Sequence, residues 1–330
     1  MDATPEVSVV IPTRDRVALL TQTLRSVLGQ TNVDFEVIVV DDGSVEDVGA
    51  ALGDMLDSRG RLLRNETSLG VSAARNRGID TARGAWVACV DDDDLWAPDK
   101  LRRQLDAVRP TGRKWVYTGA VNVSPALQVV AGGPPSTPEE VVAKVTYLNL
   151  IPGGTSSVMA DRTLMMEVGG FDTELQPFAD WDLWIRLAAS GLPAFVPSPL
   201  VAYRVHAGNM TVAGEAVERD LAIFARRGID VDRAAIYRWL GWSARRGGRT
   251  GRSIRYLLRA WRSGSDAYGL GDLAGDISYV GREAAERFRL RYLKRILGRP
   301  LVSERPGGDP DWISEAERWI GEFSANQAAG

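Results

Sequence analysis

Ala85-Trp86-Val87-Ala88-Cys89-Val90-Asp91-Asp92-Asp93-Asp94-Leu95-Trp96 is the stretch that decides the fold. The apolar run, bounded by Gly84 before and by charge after, reads as a buried strand. Four carboxylates at one strand end repel one another unless something positive lies among them. A hard divalent cation is the natural candidate, because such ions take carboxylate oxygens. A solvated acidic turn is the alternative, and the rest of the chain has to decide.

Upstream, strand-like and helix-like segments alternate. Val7 to Ile11 is a β-branched run ending at Pro12, and Val17 to Gln30 shows helical spacing with Leu20, Leu24, Val27 and Leu28 on one face. Phe35 to Val40 is a second buried strand, ending at Asp41-Asp42-Gly43-Ser44, and Ser44 to Asp57 reads as a helix capped by Ser44. Arg61 to Arg64 is a short strand, Asn65 to Gly70 a polar loop, and a helix runs through Ala73, Ala74 and Ile79. After the aspartates come a helix from Asp99 to Val108 and a strand from Trp115 to Val123. Alternation of this kind predicts βαβ units in an α/β fold, with a mostly parallel sheet and helices on both faces. Ligands of such sheets bind outside the carboxyl ends of the strands. Pro12 to Arg16, Asp41 to Ser44 and Asp91 to Asp94 each follow a strand, so the three clusters should converge on one edge.

Downstream, Ser124 to Pro138 holds Gly132-Gly133-Pro134-Pro135 and reads as a loop. Ser156 to Ala160 reads as a strand, Asp161 to Val168 as a helix, Gly169 to Asp172 as a turn, Asp180 to Ser190 as a helix and Val201 to Arg204 as an edge strand. Beyond about Gly214 the pattern is helical only. Trp239, Trp242, Tyr256 and Trp261 read as core or lid aromatics. Trp312, Ile313, Ala316, Trp319, Ile320 and Phe323 fall on one face of a last helix that must dock somewhere. The division expected is a catalytic body over 1–214, with halves at about 1–123 and 124–214, and a helical region over 215–330.

The net charge of −3 hides a strong asymmetry: Arg226 to Arg299 carries 18 Lys and Arg against 7 Asp and Glu. Within it, Arg282 to Arg299 interleaves basic and apolar residues as a basic amphipathic helix does. Such a helix can lie on an anionic membrane, hold an acidic peptide, or pack on the acidic body or a second subunit of a homo-oligomer. No nucleic-acid recognition motif is present, so no nucleic-acid partner is expected. The single cysteine, Cys89, suits a reducing cytoplasm and reads as a packed, inert thiol. No run reaches the ~18 apolar residues of a membrane span, and no signal peptide is read at the N-terminus. The expected location is cytoplasmic, with the inner membrane face as an option.

Several chemistries fail on spacing. An EF-hand starting at Asp91 needs Gly and Glu where Trp96 and Arg102 stand. The turn after the first strand, Pro12-Thr13-Arg14-Asp15-Arg16, lacks the glycines of a dinucleotide fold, and no Walker-A loop is present. A receiver domain would put paired aspartates after the first strand, not the second. What remains is a metal balancing an anionic ligand, most simply a nucleotide diphosphate.

At this point the chain resembles the family-2 glycosyltransferases with the GT-A (nucleotide-diphospho-sugar transferase) fold. The resemblance rests on Val9 to Arg16, Val39 to Ser44, Asn65 to Gly70 leading into Ala73 to Gly78, Gly84 with Asp91 to Trp96, Gly169 to Asp172, Asp180 to Trp184, and Tyr203 to His206. It implies that Pro12, Thr13 and Arg14 line the nucleotide pocket, that Asp41 hydrogen-bonds the base while Asp42 orients the loop, and that Arg75 approaches the nucleotide. It implies Asp91 on the ribose with Asp92 in support, Asp93 on the metal, and His206 on the metal or diphosphate. Asp180 would be the general base, although the family often has an acid just before it and this chain has Ala179. An N-cap for the following helix is the plainer role for Asp180. Asp182 is the backup base, although a structural partner is the plainer expectation for it.

The implied reaction is metal-dependent inverting transfer of a sugar from a nucleotide-sugar donor, expected to be UDP-linked. The acceptor class left open is a glycan, a lipid-linked sugar, a peptide or a small molecule. A sugar-nucleotide pyrophosphorylase lacks its glycine-rich loop here. A catalytically silent sugar-nucleotide or glycan-binding module is the other alternative, motivated by Ala179.

Overall fold

Seven consecutive buried residues, Val7–Thr13, form β1, and seven more, Phe35–Asp41, form β2. A strand buried at every residue must be covered on both faces, which is how parallel sheets are built. The structure is a computed structural model and describes residues 4–206, 214–246, 248–264, 271–281 and 307–329. In it β2 runs parallel to β1 with Val7 opposite Phe35 and Thr13 opposite Asp41. The crossover from β1 to β2 is α1 (Val17–Leu28), which buries Leu20, Leu24 and Val27 as its spacing predicts. α2 (Val48–Leu52) leads to β3 (Gly60–Arg64), parallel to β2, and α3 (Val71–Thr81) leads to β4 (Trp86–Cys89), parallel to β1. The order β3-β2-β1-β4 reverses between β1 and β4. Open α/β sheets bind their ligands at such a switch point, beyond the carboxyl ends.

Past β4 the strand directions mix. After β5 (Leu95–Trp96) and α4 (Lys100–Val108) come β6 (Trp115–Val123), β7 (Val129–Gly132), α5 (Pro138–Lys144) and β8 (Val158–Asp161). β8 lies antiparallel between β4 and β6, and β7 pairs antiparallel with β6. α6 (Arg162–Glu167) and α7 (Ala179–Ser190) then lead to β9 (Ala194–Arg204), parallel to β6 and antiparallel to β5. The sheet is mostly parallel, as expected, with an antiparallel insertion.

The described chain divides into two units. The first holds the sheet, with residues up to Val145, then Asn149–Val205, then the last helix; the second holds Thr146–Leu148 and the helices that follow His206. In the first unit the final helix, α12 (Pro310–Ala329), docks as its apolar face predicts. Trp312, Ile313, Ala316, Trp319 and Ile320 join the core of β6, β9 and α4. Trp319 also donates its indole N–H to the Pro199 carbonyl at 2.9 Å. β10 (Gly307–Gly308), parallel to β7, precedes it and has no counterpart in the sequence reading. In the second unit, α8 (Gly214–Arg226), α9 (Arg233–Arg246) and α10 (Thr250–Arg262) are followed by α11 over 271–281. Tyr237 stacks on Tyr256 and Trp242 meets Tyr279 edge-on. The basic stretch Arg282 to Arg299 lies outside the described residues.

Several expectations need correction. The helix expected from Ser44 is the single turn α2, capped by Asp47, whose carboxylate accepts from the Ala50 N–H; the Ser44 hydroxyl instead accepts from the Asp15 N–H. The loop expected over Ser124 to Pro138 contains β7, because Val129 pairs back onto β6. It ends in a capping box between Thr137 and Glu140 that starts α5. β9 is no edge strand: it is 11 residues long and paired on two sides. Trp239 and Trp261, read as core or lid, are 39% and 40% exposed.

The docking of α12 depends on Gly119 in β6. A Cβ at that position would stand 2.1 Å from Cζ2 of Trp312, so only glycine admits the indole. Gly119→Ala should lower stability by about 1–3 kcal/mol through overpacking, read as the urea midpoint. An unchanged midpoint would contradict the seating of Trp312 against β6.

Candidate active site

The loop after β1 and the loop after β2 are bolted together. Asp15 takes a left-handed conformation, φ 52°, which turns its carboxylate to accept from the Val45 N–H at 2.7 Å. Buried Thr13 donates its hydroxyl to Asp92 at 2.7 Å. Arg16 reaches across the switch point, 3.3 Å from Asp92 and 3.0 Å from Asp93. Arg14 points outward and lies 3.7 Å from Asp15.

Both members of the Asp41-Asp42 pair are engaged within the protein. Asp41, fully buried, accepts from the Ser44 N–H and from Arg64, each at 2.9 Å. Asp42 accepts from the Asn65 amide and the Ser68 hydroxyl, both at 2.7 Å, and from the Leu69 and Gly70 N–H groups, both at 2.9 Å. Burial opposes its charge, but these hydrogen bonds outweigh burial and hold the carboxyl below its ordinary range. Asp42 thereby fixes the 65–70 loop and the start of α3.

The four aspartates are not equal. Asp91 keeps 29% of its side chain exposed, whereas Asp92, Asp93 and Asp94 are buried. Asp94 accepts from the Ser156 hydroxyl at 2.6 Å and from the Arg204 N–H at 2.9 Å, and the Ser156 oxygen in turn accepts from the Asp91 N–H. The acidic turn is thus tied to β9 and to the segment before β8. Burial first, and Asp93 second, push Asp92 up to about 7. The same two causes raise Asp94 well above its usual range. One arginine, Arg16, stands against these four carboxylates on the β1 side.

Arg75, on α3, stands on the other side. It is buried, pairs with Asp91, and its guanidinium carbon lies 5.0 Å from the centroid of the Phe171 ring. Phe171 is held there by Asn76, one residue along α3, which accepts from its N–H at 2.8 Å and donates to its carbonyl at 2.7 Å. The turn can approach Asn76 because it passes through Gly170 at φ +65, where a Cβ would lie 2.6 Å from the Asn76 amide oxygen. Arg75 also feels Asp180, and its Nε finds no acceptor among the described residues. Asp180 is half-buried in the first turn of α7. Burial raises its carboxyl to about 6, with Asp91 adding to the rise and Arg75 and the Trp181 N–H opposing it. The phenol of Tyr203 faces the same group: burial, then Asp94, Asp91, Asp93 and Asp180 hold it far above its ordinary value, so it stays protonated.

Thr13, Arg75, Asp91, Asp92, Asp93 and Asp180 are thus brought together at one edge of the sheet. Pro12 lies buried in β1, and His206 belongs to the second unit. The helix cap expected of Asp180 is a correction: the N-cap residue of α7 is Phe178, and Asp180 takes only the next N–H. Asp182 pairs with Arg186 at 2.6 Å, the structural partner expected for it. Cys89 is buried with its thiol pushed up to about 12, so it is inert as read. Arg16, Ser156 and Tyr203 join the site beyond the residues that the motifs single out. Arg16 carries a local signal, a cation on the loop of Thr13; Ser156 and Tyr203 reach the site only through long-range strand pairing.

Comparison with known proteins agrees with this geometry. Residues 8–128 match the model of the family described as glycosyl transferase family 2, and residues 138–246 match that described as glycosyltransferase like family 2. The chain belongs to the family-2 glycosyltransferases. It is 32% identical over 253 residues to an uncharacterized protein of Mycobacterium tuberculosis, covering 72% of this chain and 76% of the relative. It is 28% identical over 210 residues to the Escherichia coli UDP-Glc:alpha-D-GlcNAc-diphosphoundecaprenol beta-1,3-glucosyltransferase WfaP, covering 62% of this chain and 79% of the relative. The solved structure of S. aureus TarS 1–349 in complex with UDP superposes with TM-score 0.51 at 16% identity, over 91% of this chain and 94% of that one, and shows a shared fold. This glycosyltransferase therefore has the GT-A architecture that its motifs implied.

Asp42 offers a test of how the donor side of the site is built. Asp42→Asn should cost about 1–3 kcal/mol at pH 7, because hydrogen bonds to a charged acceptor are lost. Its native carboxyl is depressed, so the wild-type advantage is present above the unfolded pKa and fades as pH falls through the native one. Thermal midpoints of both chains from pH 3 to 7 read this; a constant gap would contradict it.

Proposed function

We propose that this glycosyltransferase moves a sugar from a UDP-linked donor to an acceptor hydroxyl in one displacement, with Asp180 as general base. The observation that carries the reading is the juxtaposition of Asp180 with the Arg75–Asp91 pair at the carboxyl edge of the sheet. A carboxyl near 6 is a stronger base than a free aspartate yet is ionised at pH 7. Ala179 stands where an acid is often found just before the base, and Asp91 adds to the rise of the Asp180 carboxyl that burial causes.

The donor assignment draws on three supports. Arg75 has a buried Nε that meets no acceptor among the described residues, suited to a phosphate oxygen. Thr13 and Arg16 line the edge of the switch point, and Asp91 is the exposed carboxylate, suited to the ribose. The TarS structure holds UDP, and the E. coli relative is named for a UDP-sugar and a diphosphoundecaprenol-linked acceptor. A glycan or lipid-linked sugar is accordingly the acceptor class we assign.

A divalent cation suits the chemistry of this donor set: Asp91, Asp92, Asp93 and Asp94 cluster at one strand end, with Arg16, Arg75 and Arg204 as the neighbouring cations. Asp93 is the ligand proposed. Among the described residues no three His, Cys, Asp or Glu side chains are grouped to hold an ion, so the protein alone would not complete a shell around one. When bound, the cation offsets the charge of the departing diphosphate. Asp180 accepts the acceptor's proton as its oxygen bonds to C1. The C1–O bond to the diphosphate breaks, and the electron pair leaves with UDP. An α-linked donor gives a β-linked product.

Asp180→Asn should cut transfer at least 10²-fold while leaving UDP affinity unchanged, by the usual size of general-base effects. Its raised carboxyl favours the protonated form on folding, so stability falls as pH rises through about 6. The Asn chain should then melt higher than wild type at pH 8. The wild-type rate should climb through pH 6 to a plateau, and a flat profile from pH 5 to 8 would remove Asp180 as base. Separately, UDP should raise the melting temperature in Mn²⁺ or Mg²⁺ and much less in chelator; equal shifts would contradict the role given to Asp93.

A further inference from the structure

Helix α10, in the second unit, is amphipathic twice over. Ser253, Tyr256, Leu257 and Ala260 are buried, which accounts for one face. The outer half is split into two parallel ridges. Arg252, Arg255, Arg259 and Arg262 recur at helical spacing and are all exposed. Beside them Ile254, Leu258 and Trp261 recur at i, i+4 and i+7; the first two are partly exposed and Trp261 is 40% exposed. Arg259 pairs with Glu218 at 2.5 Å. The other three arginines meet no carboxylate among the described residues, and α10 itself holds no acid.

A solvated basic face would need only the first ridge. An apolar ridge with a half-exposed tryptophan alongside it is a cost in water unless something covers it. We propose that α10 lies on an anionic phospholipid surface, with Ile254, Leu258 and Trp261 in the headgroup boundary and Arg252, Arg255 and Arg262 on lipid phosphates. The side-by-side order of the ridges is that of an interfacial helix lying in the plane of a bilayer. Tryptophan favours that depth because its ring is apolar and its N–H polar. The charge of the surrounding chain agrees: Arg226 to Arg299 carries 18 basic residues against 7 acidic. No described helix is long and apolar enough to cross a membrane, so the contact is peripheral. Neither the donor nor the base assignment enters into this.

The test is co-sedimentation of the full chain with vesicles of phosphatidylcholine alone or with 30% phosphatidylglycerol, at 100 and 500 mM NaCl. Wild type should bind the anionic vesicles only, and salt should weaken binding. Each basic residue near such a surface contributes about fivefold, so R252Q/R255Q/R262Q should bind about 100-fold less, with an unchanged melting temperature. Trp261→Ser should bind several-fold less with the charges intact. Should the triple variant fail to fold, the salt dependence and Trp261→Ser decide. Equal binding to both vesicle types, binding to neither, an unaffected triple variant, or wild type held by polyuridylate but not by vesicles would each overturn the proposal.

Discussion

The buried guanidinium of Arg75 is the interaction on which the site depends. It is stacked on Phe171, paired with Asp91 and electrostatically joined to Asp180. An arginine out of water is tolerable only with compensating charge. Here the compensation comes from two carboxylates far apart in sequence, one at the end of β4 and one at the start of α7. Removing Asp91 leaves the buried guanidinium short of its paired carboxylate. Burial, rather than a neighbouring acid in sequence, raises the carboxyl of Asp180, and Arg75 opposes the rise.

Arg75 can hold this place because the backbone around it is fixed from three directions. Asp42 gathers the 65–70 loop and so sets the start of α3. Asn76 clamps the Gly170–Phe171 turn. Ser156 links Asp94 to the Asp91 N–H, joining the aspartate turn to the segment before β8. That segment is itself supported from beneath: Lys100 sits over Trp96 and donates to Gln104, which donates to the Ser157 carbonyl. Residues that never touch substrate thus position those that would.

Much of this was legible in the sequence. β1, β2, β4 and β6 are apolar runs with little ambiguity of period, and the clusters at their ends identify one sheet edge. The aspartate run, Arg75 and Asp180 follow from motif order. What escaped is what long-range pairing decides. Nothing local to Val129 says that it returns onto β6, and nothing in Tyr203 says that β9 faces it toward four carboxylates. The turn after β2 misled because Ser44 and Asp47 are both good caps, and the loop chemistry around Asp15 claimed Ser44 first. The last helix showed the reverse: its apolar stripe announced a docking face, and Gly119 supplied the place.

The most direct test of the account is a crystal structure of the chain with UDP. The diphosphate should lie at the β1–β4 switch point, within hydrogen-bond reach of Arg75 and beside Asp91 and Asp93, with the open side facing Asp180. UDP bound away from that edge, or with Arg75 still closed on Asp91 and out of contact with it, would contradict the account.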